Sequence, residues 1–229
     1  MILLGDAFPN FSANTTDGEI DYHDWLGSSW GVLFSHPSDF TPVCTTELAR
    51  VLNLLPEFTK RNTKVIGLSC DTVSSHLEWC KDIKKYAGQN EDKAFPYPII
   101  EDKDRSLATE LGMIDKDEID PKGIPLTARS VFIIDPNKKL RLALLYPATT
   151  GRNFDEILRV LDSLQLTDNA KVATPADWKM GDECMVLPTV PDDQINKVFP
   201  NGVTVVNLPS GKNYLRKTAC PNQNTLIHA

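Results

Sequence analysis

The sequence predicts an α/β protein: a mixed sheet with helices on both faces, followed by a smaller, less regular module. Three observations carry this. Strand-length apolar runs occur at residues 30–34, 64–68 and 129–135, the first continuous enough for a strand buried on both faces. Between and after them lie two long amphipathic stretches, Leu48, Val51, Leu52, Leu55 and Phe58, then Phe154, Ile157, Leu158, Leu161 and Leu164. Their spacing of three and four is the apolar stripe of a core-facing helix. From about Thr167, Pro175, Pro188, Pro191, Pro200, Pro209 and Pro221 punctuate the chain. The expected division is 1–166 for the α/β domain and 167–229 for the second.

In order, residues 10–21 are polar and turn-rich, an N-terminal hairpin carrying Ile20 and Tyr22, and 24–26 form a short turn. The strand 30–34 leads into the first long helix, which ends near 60–62. The strand 64–68 follows, with Cys70 at its end. Residues 74–86 read as a helix with Leu77, Ile83 and either Trp79 or Cys80 inward. A short strand at 97–100 and a helix at 105–111 come next. The acidic, glycine-bounded stretch 110–123 is expected to be an exposed loop. Pro136-Asn137 turns strand 129–135 into strand 140–146, and the last long helix follows. In the tail, 184–187 is strand-like. Parallel crossovers, then a hairpin and a final helix, match a thioredoxin-like sheet.

The chain has 229 residues and a net charge of −7. No basic field invites nucleic acid, and the pairs Lys84-Lys85 and Lys138-Lys139 read as solvated faces. The start lacks a basic segment ahead of its short apolar run, which argues against a signal peptide. No apolar run reaches membrane-spanning length, so no stable membrane insertion is expected. Five cysteines (44, 70, 80, 184 and 220) are irregularly spaced without Cys-x-x-Cys. That pattern suits reduced thiols in the cytoplasm rather than a disulfide framework or a metal site.

Residues 35–48 read Ser-His-Pro-Ser-Asp-Phe-Thr-Pro-Val-Cys-Thr-Thr-Glu-Leu. Pro42 suits the first helical position. Cys44 therefore falls in the first turn, against unpaired N–H groups and the positive end of the helix dipole, a setting that favours a thiolate. Thr41 precedes the sulfur by three residues, His36 lies where the strand ends, and Glu47 follows in the same turn. The competing reading of a buried packing thiol is weaker here because of Pro42 and Thr41.

Pro37, Thr41 and Cys44 form Pro-x-x-x-Thr-x-x-Cys, which resembles the peroxidatic-cysteine motif of the peroxiredoxins. The neighbourhood is similar to their one-cysteine branch, the peroxiredoxin-6 type; typical two-cysteine members carry Tyr in place of His36 and Pro in place of Thr45. Ala-Arg-Ser-Val-Phe-Ile-Ile-Asp around Arg129, Tyr-Pro-Ala-Thr-Thr-Gly-Arg-Asn-Phe-Asp-Glu from Tyr146 and Leu-Pro-Ser-Gly-Lys-Asn-Tyr-Leu-Arg near the end extend the likeness. The resemblance implies a thiol peroxidase acting on hydrogen peroxide and organic or lipid hydroperoxides. It implies Cys44 as nucleophile, Thr41 and Arg129 binding the peroxide, Pro37 shielding the sulfur and His36 in the pocket. It also implies Glu47 and Arg152 as an ion pair behind it. Two-cysteine relatives carry a resolving cysteine just before Pro-Ala-x-Trp; here Thr174 precedes Pro175-Ala176-Asp177-Trp178. The resemblance therefore implies an external thiol, glutathione, delivered by a glutathione S-transferase. It implies a homodimer and no metal, haem or flavin. Residues 140–146 would be one edge for the dimer contact.

Gly27-Ser28-Ser29-Trp30-Gly31 also matches Gly-x-Ser-x-Gly, but it precedes a strand, and a nucleophile elbow follows one. Some peroxiredoxin-6 relatives are credited with phospholipase A2 activity from a Ser-His-Asp set that maps to Ser29, His23 and position 137. Asn137 stands there and supplies no negative charge. A redox sensor or chaperone is the other alternative, since the same cysteine serves it without turnover.

Overall fold

The computed structural model describes residues 2–90 and 92–221. β1 (Ser12–Thr15) and β2 (Gly18–Asp21) form the expected hairpin. The stretch after it is a one-turn helix, α1 (Tyr22–Leu26), whose first turn is capped by Asp21, with its carboxylate accepting from Asp24 N. β3 (Trp30–Ser35) is buried along its whole length and feeds α2 (Pro42–Lys60). β4 (Thr63–Ser69), α3 (Val73–Tyr86), β5 (Ile99–Glu101) and α4 (Ser106–Glu110) follow. Then come β6 (Ile114–Ile119), β7 (Pro125–Thr127), β8 (Arg129–Ile134), β9 (Leu140–Tyr146) and α5 (Phe154–Asn169).

Seven strands make one sheet in the order β2-β1-β5-β4-β3-β8-β9. β3 runs parallel to β4, and β4 to β5, through the helical crossovers α2 and α3. β8 returns antiparallel beside β3, and β9 pairs outside it as the edge. The central strands are continuous Val, Leu, Ile and Phe because both faces are covered. One apolar cluster gathers Phe8, Tyr22, Leu33, Ile66, Leu68 and Phe132.

In three places the structure departs from the sequence reading. In α3, Leu77 is 48% exposed, whereas both Trp79 and Cys80 are buried, as is His76. The buried stripe runs through His76, Trp79, Cys80 and Ile83, and Leu77 lies about 100° around the helix from His76. Lys84 is buried, with its ammonium donating to Lys93 O at 2.6 Å, so it is not part of a solvated face. The acidic stretch is no loop. β6 and β7 form a separate two-stranded ribbon with an irregular register between Asp115 and Ile119. Asp120 organises its turn by accepting from the amides of Lys122 and Ile124, and Arg105 pairs with Asp120 at 3.0 Å. In α2, Leu54 is buried and Leu55 only partly so.

The internal contacts divide the chain between Phe154 and Asp155, just after the first residue of α5; the boundary expected at 166/167 lies near the other end of that helix. Beyond α5, β10 (Val172–Ala173), β11 (Cys184–Val186), a 3-10 turn (Asp192–Gln194), α6 (Ile195–Val198), β12 (Thr204–Val205) and β13 (Arg216–Thr218) follow. The strands form a small antiparallel sheet, β10-β11-β13-β12. Leu166, Val172, Trp178, Cys184, Val186 and Phe199 make this unit's own apolar cluster. Among the described residues no helix is long and apolar enough to cross a membrane.

Candidate active site

The site begins where β3 ends. Thr41, in extended conformation, is the residue before α2, and Pro42 takes the first helical position. The first intrahelical bond runs from Thr45 N to Thr41 O at 3.0 Å. The amides of Val43 and Cys44 lie ahead of that bond, at the orphan-donor end of the helix. Cys44 has no exposed surface.

Arg129, the first residue of β8, reaches across with Nη1 3.2 Å from Cys44 Sγ. The same nitrogen donates to Glu47 Oε2 at 2.8 Å, while Nε and Nη2 both donate to Ala148 O, at 2.8 and 2.6 Å. The guanidinium is thus fixed on three sides with one edge on the sulfur, a use of the planar fork that a lysine cannot reproduce. Glu47 is in turn gripped by Arg152, whose N and Nε reach Oε1 at 2.7 and 2.9 Å and whose Nη2 reaches Oε2 at 2.7 Å. Arg152 Nη1 donates to the carbonyls of Ser35 and Ser130, tying β3 to β8. Burial alone would raise the Glu47 carboxyl; the bonds and charge of Arg152, then the charge of Arg129, outweigh it and hold Glu47 below the usual carboxylate range. Gly151 brings the backbone close, since a Cβ there would meet Val43 Cγ1 at 3.4 Å.

A second buried set centres on Asp39. His36 Nε2 bonds Asp39 Oδ1 at 2.8 Å, and His76 Nδ1 bonds Asp39 Oδ2 at 2.7 Å. Ser75 Oγ donates to the same Oδ2, and Asp39 N donates to Asp71 Oδ2. Burial opposes the Asp39 charge, but the hydrogen bonds from His36 and His76 prevail and push its carboxyl far down. Burial likewise lowers His36, against the pull of Asp39. With Nε2–H committed to Asp39, His36 Nδ1 carries a lone pair that is buried and has no partner. The His36 ring lies 5.0 Å from Trp79, whose Nε1 donates to Thr45 beside the nucleophile. One ligand atom each from His36, Asp39 and His76 lie within 4.8 Å of one another, and here they bond one another directly.

Cys44, Arg129, Glu47 and Arg152 thus form one connected set. Pro37 is buried and Thr41 partly so; the Thr41 hydroxyl donates to Ser38 O at 2.9 Å. Glu47 and Arg152, which could have been surface charges, are both buried. Asp39, His76 and the Ala148 carbonyl went unread in the sequence. The spacing His36-x-x-Asp39 was the one available signal. Ser29 and His23 have separate partners. Ser29 Oγ donates to Asn62 Oδ1 at 3.2 Å, and His23 Nε2 bonds Phe8 O at 2.9 Å. Position 137 is an exposed asparagine.

The AhpC/TSA family profile matches residues 4–143, and that of the C-terminal domain of 1-Cys peroxiredoxin matches residues 163–201. The chain belongs to the one-cysteine peroxiredoxins, of the peroxiredoxin-6 type. Peroxiredoxin-6 of Gallus gallus is 64% identical over 220 residues, covering 96% of this chain and 98% of that protein. Peroxiredoxin-6 of Homo sapiens is 61% identical with the same coverage. The structure of a cysteine-to-serine mutant of peroxiredoxin 6 from Arenicola marina superposes with a TM-score of 0.95 at 58% identity, covering 97% of this chain and all of that one. A yeast mitochondrial 1-Cys peroxiredoxin, described as resolved via glutathione/thioredoxin systems, gives 0.83 at 44% identity, with 96% and 100% covered. This peroxiredoxin is accordingly a thiol-dependent peroxidase with a thioredoxin-like α/β fold.

Proposed function

We propose that this peroxiredoxin reduces hydrogen peroxide and organic or lipid hydroperoxides at Cys44, with glutathione as the external reductant. The observation that carries the reading is the Arg129 guanidinium, 3.2 Å from Cys44 Sγ and anchored by Glu47 and Ala148. The Cys44 thiolate attacks one peroxide oxygen. The S–O bond forms as the O–O bond breaks, and the leaving oxygen takes a proton as water or alcohol. Negative charge moves from sulfur to the departing oxygen, and donors fixed in advance stabilise it where it arrives. Arg129 is such a donor. The Thr41 hydroxyl, already donating to Ser38 O, keeps its lone pairs for the peroxide O–H. Pro37 excludes water from the sulfur, and His36 Nδ1 is an unused acceptor in the same neighbourhood. Glu47 and Arg152 hold Arg129 in place.

The Cys44 sulfenic acid then takes glutathione, releasing water and leaving a mixed disulfide; a second glutathione frees Cys44 and departs as glutathione disulfide. Thr174 ahead of Pro175 supports an external reductant, as does the glutathione/thioredoxin resolution described for the yeast relative. Burial pushes the thiols of Cys70 and Cys80 up to about 11 and about 12, which suits packing thiols. Delivery by a glutathione S-transferase, a reducing cytoplasmic setting and a homodimer complete the proposal. The edge strand β9, with Leu145 58% exposed, is the face offered to a second copy.

Stopped-flow mixing with substoichiometric hydrogen peroxide, native protein beside Cys44→Ser, followed by intact mass, tests this. Rapid consumption lost in the variant, with one oxygen gained, is the expected result. Consumption no faster than that of a free thiol overturns it.

A further inference from the structure

Outside the peroxide site, the C-terminal unit carries two thiols in one apolar cluster. In the β11–β13 ladder Cys184 pairs with Thr218. Cys220, two residues on, falls on the same side as Thr218 by the alternation of a strand, just past the end of β13. Both side chains belong to the cluster around Trp178, and the two thiols are near enough to perturb one another electrostatically. Their environments differ. Cys184 is fully buried, whereas Cys220 is partly exposed and lines a cavity of about 440 Å³ with Lys171, Phe199, Asn201 and Thr218. Both thiols are free.

We propose that Cys184 and Cys220 form a reversible internal disulfide when hydroperoxide is in excess, a second redox site independent of Cys44. Cys220 meets the hydroperoxide from the cavity side. Its sulfur takes one oxygen, the O–O bond breaks, and the remainder leaves as water or alcohol. The Cys184 sulfur then attacks the Cys220 sulfenic sulfur, the S–S bond forms, and water departs with the Cys184 proton. Overall one hydroperoxide gains two electrons and the dithiol loses two. Burial, then the neighbouring Cys220, push the Cys184 thiol up to about 12, so Cys184 is the condensing partner and not the first attacker. Their closeness within one cluster compensates for its low thiolate fraction through effective concentration. Strand diagonals are wider than the Cα spacing a disulfide prefers. Cys220, however, lies in coil beyond the ladder, so that segment supplies the closing movement.

The test uses full-length Cys44→Ser protein, which removes the proposed peroxidatic thiol, exposed to excess hydrogen peroxide. Remaining thiols are alkylated, intact mass is measured and the peptides are mapped. The expected result is loss of two hydrogens, a peptide linking Cys184 to Cys220, and full reversal by dithiothreitol. Cys220→Ser in the same background abolishes the linked peptide. In the Cys44-containing chain, Cys220→Ser leaves the peroxidase rate unchanged. Retention of both thiols, stepwise oxygen addition at Cys220 without loss of hydrogens, or a disulfide joining either cysteine elsewhere overturns the proposal. None of these outcomes depends on the chemistry proposed for Cys44.

Discussion

Replacing Glu47 with glutamine removes the negative charge from between two buried guanidinium groups. The carboxylate accepts four hydrogen bonds, one from Arg129 Nη1 and three from Arg152. A glutamine side chain keeps one acceptor oxygen and turns an NH2 toward the other pair of donors. In one orientation that NH2 faces Arg129 Nη1 and Arg152 Nη2; in the other it faces Arg152 N and Nε. Two charge-assisted bonds are lost either way, at about 1.5–3 kcal/mol each. Breaking a buried ion pair by removing one partner costs about 3–5 kcal/mol. The side chains concerned are 1–4% exposed, so solvent does little to soften the loss. A destabilisation of about 4 kcal/mol is expected, a large share of the ~5–15 kcal/mol typical of a folded domain. Urea unfolding of Glu47→Gln beside the native chain measures it. Peroxide oxidation of Cys44 is expected to slow by about 10–100-fold, because Arg129 loses an anchor. A loss below about 1 kcal/mol together with a native oxidation rate would refute the reasoning that one carboxylate holds both arginines.

Four further outcomes are expected. Arg129→Lys should slow Cys44 oxidation by about 100-fold or more in stopped flow, since one ammonium cannot serve the sulfur, Glu47 and the Ala148 carbonyl together. Asp39→Asn should cost about 2–4 kcal/mol in urea unfolding, because two imidazoles lose a buried charged acceptor; a change within 0.5 kcal/mol, the usual surface range, would contradict the network. Stability should fall in two acid windows. The folded His36 value lies below the usual 6.5, so between that value and 6.5 the unfolded chain binds more protons and stability drops as pH falls. Glu47 lies below 4.5 in the folded state, so its contribution is complete above 4.5 and lost as pH falls through its folded value. Urea midpoints from pH 8 to 3 follow both, and Glu47→Gln removes the Glu47 share of the second while leaving that of Asp39. Leu145→Lys, placing a charge on the exposed edge strand, should shift sedimentation toward the monomer; an unchanged profile places the contact elsewhere.

Where one period dominated, the sequence was enough. The central strands and α2 are spelled out by continuous apolar runs and by three- and four-residue spacing. Pro42 and Thr41 put Cys44 in the first turn without reference to any relative. The failures share a physical cause, which is that polar partners override hydropathy. His76 is drawn inward by Asp39, so the apolar Leu77 is left outside. Lys84 is buried because a backbone carbonyl receives its ammonium. The β6–β7 ribbon is invisible to an alternation test because an unbroken charged run, Asp115 to Glu118, fills the middle of β6, and Arg105 and Asp120 pin its turn. At the site, Arg129 and Arg152 were legible through a family motif. Asp39 was not, since its role depends on two histidines forty positions apart in the chain. The Ala148 carbonyl had no signal, because backbone acceptors carry no residue identity.

Cys44 and Glu47 sit three residues apart in one stretch of α2. The sulfur has no exposed surface, so any reactant that meets it does so as that stretch opens. An opening that carries Glu47 away with the nucleophile takes the shared carboxylate from both guanidiniums in the same event. Access to the sulfur and the anchoring of the two arginines are therefore coupled through one helical turn, as when a door and its doorpost are cut from the same plank.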